Sequence, residues 1–475
     1  MLLELGAWTL FPSVITICLA IFTRQVILSL LVGVISGSLI LANFDVSSGL
    51  TNSAQGVIDV FHSDGAAKSI IFGIMIGGVV HLARITGGMN SMVDFLAHRV
   101  KVARGPVSTQ LLAVLVSCVI FIESNIALLT SGSVTSPLAK RHRIAREQMA
   151  YIIKTAGISV WSSVMINGWG AVMMGVISVQ IANGFIKGEP FEILAKSMVF
   201  NLFAWASLLL VFLSIFTNFA FPRMRAAQQR AAQGIEIRPG ATPLLSPQDA
   251  PQRQAGESVS NFLIPFLAML CSVPVALYVT GDGNFMKGSG ATSVFWAVLI
   301  GQVAGFVHYV FVKRLFSIEE YTKELLVGYQ SMLPIAVVLT LAFFIGNISG
   351  QLNVGAYLSQ HLNTFLSPGL TAAFVFAIAA LISLSTGTSW GTFSIMIPIG
   401  IQLAVAAGVD PYLVIGAAIS GSVLGDALSP ISDTAIVCAM ATGNDLMDHV
   451  KTQIPYSATA GLIALIGYAV IGSFS

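Results

Sequence analysis

Apolar runs of about 20 residues recur along this chain, and that length is what a helix needs to cross the hydrocarbon core of a bilayer. They lie near Trp8–Thr23, Gln25–Ala42, Ser69–Thr86, Lys196–Ala220, Asn261–Thr280, Val294–Val312, Ser331–Asn347 and Ser457–Ile471. A segment in lipid must satisfy its own backbone polar groups, so these runs read as helices. Charged residues make up only 9% of the 475 and hydrophobic ones 55%, with mean hydropathy +0.85. Soluble domains carry about 25% charged residues, which excludes a soluble multidomain enzyme. The start, Met1-Leu2-Leu3-Glu4, lacks the basic stretch of a cleaved leader, so the first run is expected to stay as a membrane helix.

Four further segments are apolar but interrupted. Glu147–Ile181 and Pro411–Met440 carry polar, Gly and Pro residues in mid-run and read as broken helices. Pro106–Ala139 and Pro368–Val405 place two short apolar arms around a polar tip and read as re-entrant hairpins. Basic residues gather at Arg24, at Arg99, Lys101 and Arg104, at Lys140, Arg141, Arg143 and Arg146, between Arg223 and Arg253, and at Lys313 and Arg314. Placing these clusters in the cytoplasm makes 106–139 enter and leave on the inner side. The hairpin 368–405 then enters from outside, and both termini face outward.

The chain also repeats. Gly88–Val100 lies over Gly350–Leu362, and Ser124, Pro137 and Ser159 precede Ser385, Pro398 and Ser420 by the same 261 residues. About five spans per half is an odd number, so the halves must be inverted relative to one another, a common plan in secondary transporters. The expected fold is an all-α polytopic membrane protein of two inverted repeats. Each holds about five spans including one broken helix, plus one re-entrant hairpin. The first repeat is 1–222, with hairpin 106–139 and broken helix 147–181; the second is 259–475, with hairpin 368–405 and broken helix 411–440. Residues 223–258, rich in Arg, Gln, Ala and Pro without an apolar period, read as a flexible cytoplasmic linker.

Other classes fall away. A net charge of +2 gives no electrostatic footprint for nucleic acid. Cys18, Cys118, Cys271 and Cys438 lie far apart in apolar runs and read as packing residues. No zinc spacing, nucleophile–base constellation or phosphate loop appears, so no enzyme activity is expected, and no cofactor beyond coupling or transported ions.

Chemistry concentrates in two polar stretches that are expensive in hydrocarbon unless they line a cavity or an ion site. One is Ser385-Thr386-Gly387-Thr388-Ser389-Trp390-Gly391, the tip of the second hairpin. The other is Gly425-Asp426-Ala427-Leu428-Ser429-Pro430-Ile431-Ser432-Asp433-Thr434, inside the second broken helix. Asp426 and Asp433 stand seven residues apart, on one face if the helix ran on, and Gly425 and Pro430 say that it does not. A break frees backbone carbonyls. Carbonyls, hydroxyls and a carboxylate make the hard oxygen cage that suits sodium. The expected ion- and proton-binding set is Asp426, Asp433, Ser385, Thr386, Gly387, Thr388, Ser389, Ser429, Ser432 and Thr434, with sodium held by Asp426, Asp433, Thr386 and Ser389. No Lys or Arg lies between Lys323 and Lys451 to pair with the aspartates, which leaves an ion as their expected partner. In the first half Glu123, Ser124 and Asn125 form the matching tip, and Ser159 and Asn167 mark the matching break; these are the candidates for contacting a solute. Trp161 and Trp169 read as packing residues.

The motifs Thr388-Ser389-Trp390-Gly391-Thr392 and Gly425 to Thr434 resemble the signature of the NhaC-type sodium/proton antiporters, within the ion-transporter superfamily. The resemblance implies a multi-pass protein of a prokaryotic inner membrane that works as a homodimer by an elevator movement. It implies sodium and protons as cargo, and relatives with this frame also move organic acids or amino acids, so a sodium-coupled carrier of a small organic solute is the alternative. The expected mechanism is competition at one carboxylate. A desolvated carboxylate takes up a proton when sodium is absent, and sodium entry expels it.

Overall fold

The computed structural model of the chain describes residues 6–23, 25–89, 91–92, 95, 105–121, 124–165, 167–243, 258–352, 354, 357 and 367–474. Helices carry nearly all of it, and no strand occurs among the described residues. The first part runs α1 (Phe11–Thr23), α2 (Val26–Leu41), α3 (Val46–Val60), α4 (Asp64–Ile85), α5 (Pro106–Val119), α6 (Ser124–Arg141), α7 (Arg146–Trp161), α8 (Gly168–Ala182), α9 (Pro190–Met198), α10 (Leu202–Thr217) and α11 (Pro222–Ala232). The second runs α12 (Val259–Thr280), α13 (Gly290–Phe306), α14 (Ile318–Ser331), α15 (Leu333–Gln351), α16 (Thr371–Thr386), α17 (Ser389–Ala407), α18 (Pro411–Leu428), α19 (Asp433–Thr442) and α20 (Leu446–Phe474). Among the described residues, 9 helical stretches are long and apolar enough to cross a membrane.

Every full-length apolar run named above falls on helix, with two differences. Lys196–Ala220 is two helices, because the chain turns at 199–201. There the Asn201 amide accepts from Ser420 Oγ at 2.7 Å and donates to Ser162 Oγ at 3.1 Å, and those bonds hold the turn inside the protein. The run 457–471 is only the C-terminal part of α20, which begins eleven residues earlier at Leu446. Helices α3 and α14 escape a search for apolar runs, since each carries polar residues along much of its length; their starts are fixed instead by Asp45, which accepts from Ser48 N, and by the Ser317/Glu320 capping box.

Packing sorts the helices into two groups. One, a frame, joins α1–α4 to α12–α15: α4 packs on α13 and α14, and α2 on α15. The other, a site body, joins α5–α11 to α16–α20. Within it α6 packs on α19, α17 on α8, and α18 on both α16 and α17. The groups meet where α4 lies on α8 and α15 on α17. Small residues bring α4 and α8 close: a Cβ on Gly175 would fall 2.3 Å from Ser69 Oγ, and one on Gly65 would fall 2.4 Å from Ser178 Oγ.

The segment expected to be a flexible tether is a fastened strap over its first half. Helix α11 lays Arg230 against Glu147, and Gln228 donates to Gln148 Oε1 at 2.9 Å. Beyond it, Glu236 bridges Lys140 (2.8 Å) and Arg146, Arg238 pairs with Asp448 at 3.0 Å, and Thr242 N donates to Asp445 Oδ2 at 3.0 Å. Composition hid this because Arg, Gln and Ala suit a surface helix as well as a loose chain. The hydrogen bond from Lys140, with that from Arg146, holds the Glu236 carboxyl below its usual value. A lowered carboxylate stabilises the fold above its unfolded value, and that contribution is lost as pH falls through the lowered one. Glu236→Gln should therefore cost about 1 kcal/mol or less at neutral pH, a partly exposed pair being screened by water. The difference from wild type should vanish in acid below the ordinary carboxylate range, as read by thermal unfolding across pH.

Candidate functional site

Three helix ends converge on one carboxylate. Helix α18 stops at Leu428, and Asp426 in its last turn is buried at 2% exposure. Asp426 Oδ2 accepts from Ser389 Oγ at 3.0 Å, in the first turn of α17. Its Oδ1 accepts from Ser432 Oγ at 2.6 Å and Thr434 Oγ1 at 2.7 Å, at the start of α19. The N-terminal ends of two helices thus face the same anion, and their dipoles favour negative charge there. Ser432 also caps α19, accepting from Ala435 N.

The break in α18–α19 leaves a helix-end carbonyl at Ala427, which accepts from Gln453 Nε2 at 3.0 Å. Two further bonds tie α16 to α18 and the break: Ser383 Oγ donates to Ser422 O at 2.6 Å, and Ser429 Oγ to Leu384 O at 2.9 Å. Gly387 lets the tip of α16–α17 sit directly on the break. It adopts φ +71°, and a Cβ there would lie 2.8 Å from the Ile431 carbonyl oxygen. Gly387→Ala therefore meets both left-handed strain and a backbone clash. We expect it to cost about 1–3 kcal/mol and to depress transport, whereas Gly408→Ala, equally left-handed but with nothing nearby, pays only the strain. Comparing the two by thermal unfolding and flux separates the clash from the conformation.

The residue that sequence reasoning missed is Lys154. It projects from α7 into this cluster with no exposure at all, its Nζ 3.2 Å from the Asp426 carbonyl oxygen and 3.9 Å from Oδ1. The basic partner absent between Lys323 and Lys451 thus comes from the other half of the chain. A signal was present: a lone lysine in Tyr151-Ile152-Ile153-Lys154-Thr155 is an ionisable group at membrane depth, which is a functional candidate by default.

Asp433 does not join Asp426. It is exposed in the first turn of α19, where its Oδ1 accepts from Thr434 N at 2.8 Å. The break turns the two aspartates apart, so the spacing that would align them on a continuous helix does not apply. Ser385 and Thr386 donate back to Leu381 O and Ile382 O of their own helix, both at 2.9 Å. Thr388 lies between Gly387 and Ser389, on the wall of a cavity of about 170 Å³ that also meets Pro334, Val338, Trp390 and Ser394 at the seam with α15.

The first-half candidates sit elsewhere. Glu123 lies outside the described residues, as does the side chain of Asn125, and Ser124 is buried at the start of α6. Asn167 was expected to contact a solute. Instead it caps α8 by accepting from Gly170 N at 2.9 Å and spends both amide hydrogens, on Trp161 O (2.8 Å) and Phe121 O (3.2 Å). It braces the first break against the first tip. The backbone carbonyl of Ser159, itself buried, accepts from Ser162 and Ser163 at 3.2 and 2.8 Å. Trp161 donates to Ser117 O at 3.2 Å, and Trp169 packs edge-on against Trp390 with centroids 5.9 Å apart, so both tryptophans are packing residues.

Comparison with known proteins agrees with this architecture. An uncharacterised protein of Haemophilus influenzae is 28% identical over 98% of this chain and 91% of its own length. The malate-2H(+)/Na(+)-lactate antiporter of Bacillus subtilis is 32% identical over 108 residues, 23% of each chain. Among solved structures, MtrF of Neisseria gonorrhoeae, from a class of antimetabolite efflux pumps, superposes with a TM-score of 0.57 at 13% identity, over 89% of this chain and 84% of its own; this likeness concerns the fold. A family model described as the Na+/H+ antiporter family matches residues 164–473. This multi-pass membrane protein is a secondary transporter and not an enzyme, and it belongs to the Na+/H+ antiporter family.

Proposed function

We propose that the protein exchanges sodium ions for protons across a prokaryotic inner membrane, with Asp426 as the group for which the two compete. The observation that carries this reading is the buried Asp426 carboxylate, ringed by the hydroxyls of Ser389, Ser432 and Thr434 and faced by Lys154. Oxygen donors of this kind suit a small hard cation. With sodium present, the carboxylate and the three hydroxyl oxygens are its ligands; with sodium absent, the carboxylate holds a proton. A carrier that crosses only with one of the two bound couples their gradients.

The division into a frame and a site body supports an elevator movement, in which the body slides along the seam of small residues between α4 and α8. The pairing of α6 with α19 and of α8 with α17 supports the inverted-repeat plan, because exchanging the two halves maps one pair onto the other. The homodimer belongs to the same reading.

The test is purified protein in liposomes carrying an imposed pH difference. Sodium, and not potassium, should collapse the pH difference. No response to sodium would overturn the exchange reading. If malate, lactate or an amino acid were required for sodium to move, the protein would be a sodium-coupled solute carrier, with the cavity beside Thr388 as the place to look for its cargo. Light scattering of the detergent-solubilised protein tests the dimer.

A further inference from the structure

Between α7 and α20 lies a seam of buried polar groups that the exchange site does not use. Tyr151 OH and Thr155 Oγ1 on α7, and His449 Nδ1 and Nε2, Gln453 Oε1 and Ser457 Oγ on α20, have no hydrogen-bond partner among the described residues. All five side chains are at least nine-tenths buried. On α20 they recur every fourth residue, so they form one stripe. The two helices pack together here. The Tyr151 ring stacks on Tyr456 with centroids 4.2 Å apart.

The stripe touches two features already described. At its middle, Gln453 donates to Ala427 O while Lys154 donates to Asp426 O, on successive carbonyls at the end of α18. At its first member, His449 stands one residue from Asp448, which pairs with Arg238 of the strap. The seam therefore runs from the strap to the exchanging carboxylate. Apolar side chains at these positions would carry no polar cost. A row of unsatisfied donors and acceptors is the composition that buried water satisfies, each molecule making about three hydrogen bonds.

We propose that this seam binds a file of water with His449 at its strap end, and that the file carries protons between the strap and Asp426. This rests on the sodium/proton reading above. The step balances without a net charge on the protein. A proton arriving on water adds to one ring nitrogen of neutral His449, and the other nitrogen releases its proton to the next water. The imidazole is left neutral in its second tautomer, and reversal of the tautomer resets it.

Two measurements decide. Radiolytic hydroxyl labelling of wild-type protein marks side chains beside bound water, so Tyr151 and His449 should label several-fold faster than Tyr309 and Tyr468, which are as buried but hydrogen-bonded to Asn261 O and Phe200 O. In liposomes, His449→Phe should slow proton-coupled sodium flux on the order of tenfold or more and leave exchange of radiolabelled sodium for sodium, which moves no proton, near the wild-type rate. Labelling of Tyr151 and His449 no faster than the controls, or equal loss of both fluxes in a folded variant, would overturn the proposal. Should the phenylalanine variant fail to fold, Gln453→Leu and the wild-type labelling settle the question. If wild-type protein moves sodium in neither mode, it is the exchange reading that fails.

Discussion

Asp426→Asn should reduce sodium-dependent proton movement to background, while Asp433→Asn keeps most of it. Asparagine preserves the shape of the side chain and one acceptor, so the cluster of Ser389, Ser432 and Thr434 can still close around it. What it loses is the charge that a cation needs and the atom that a proton can bind. Asp433 is exposed at the start of α19, where its Oδ1 accepts from Thr434 N and water screens its charge, so its amide variant should cost far less flux than Asp426→Asn. The comparison is made in liposomes with imposed sodium and pH gradients, at matched protein density. Wild-type flux in Asp426→Asn, or a dead Asp433→Asn, would move the site off Asp426.

Lys154→Met should destabilise the protein by about 3–5 kcal/mol in sodium-free buffer alkaline enough that Asp426 has also lost its proton, because it then strands a buried carboxylate without its counter-charge. Saturating sodium should recover part of that loss by supplying a cation at the same place, so the thermal shift between sodium and choline buffers should exceed that of wild type. The effect is one of pairing, hence non-additive: the double variant Asp426→Asn, Lys154→Met should be more stable than Lys154→Met alone. It should remain inactive. A Lys154→Met protein as stable as wild type and indifferent to sodium would show that the ammonium, although 3.9 Å away, contributes no compensation to Asp426.

Much of this could be read in the chain before any coordinates. Apolar runs of membrane length announce helices because the bilayer allows little else. The stretch Gly425 to Thr434 and the tip Thr388-Ser389 announce a site because their polarity is costly at that depth. Ser389, Ser432 and Thr434 indeed meet at Asp426. What stayed hidden was of two kinds. Lys154 lies 272 residues from Asp426, and a contact between halves leaves no trace in local spacing. Asp433 and Asn167 have the right chemistry in the right neighbourhood, yet which way each points depends on the geometry of its break, and helical periodicity ends where the helix does. Helices α3 and α14 are too polar for an apolar search, and α11 looked like a tether because its composition is neutral between the two.

The strap carries one more implication. Its ties described here run to α6, α7, α20 and the turn before α20, all parts of the site body, so it rides with whatever carries Asp426. The covalent path from Pro243 onward to Ser258, at the threshold of the frame, measures at most about 50 Å drawn straight. In the elevator movement proposed above, that contour length is a leash: it would set an upper limit on how far the body carrying Asp426 travels from the frame, and shortening it residue by residue would measure that stroke.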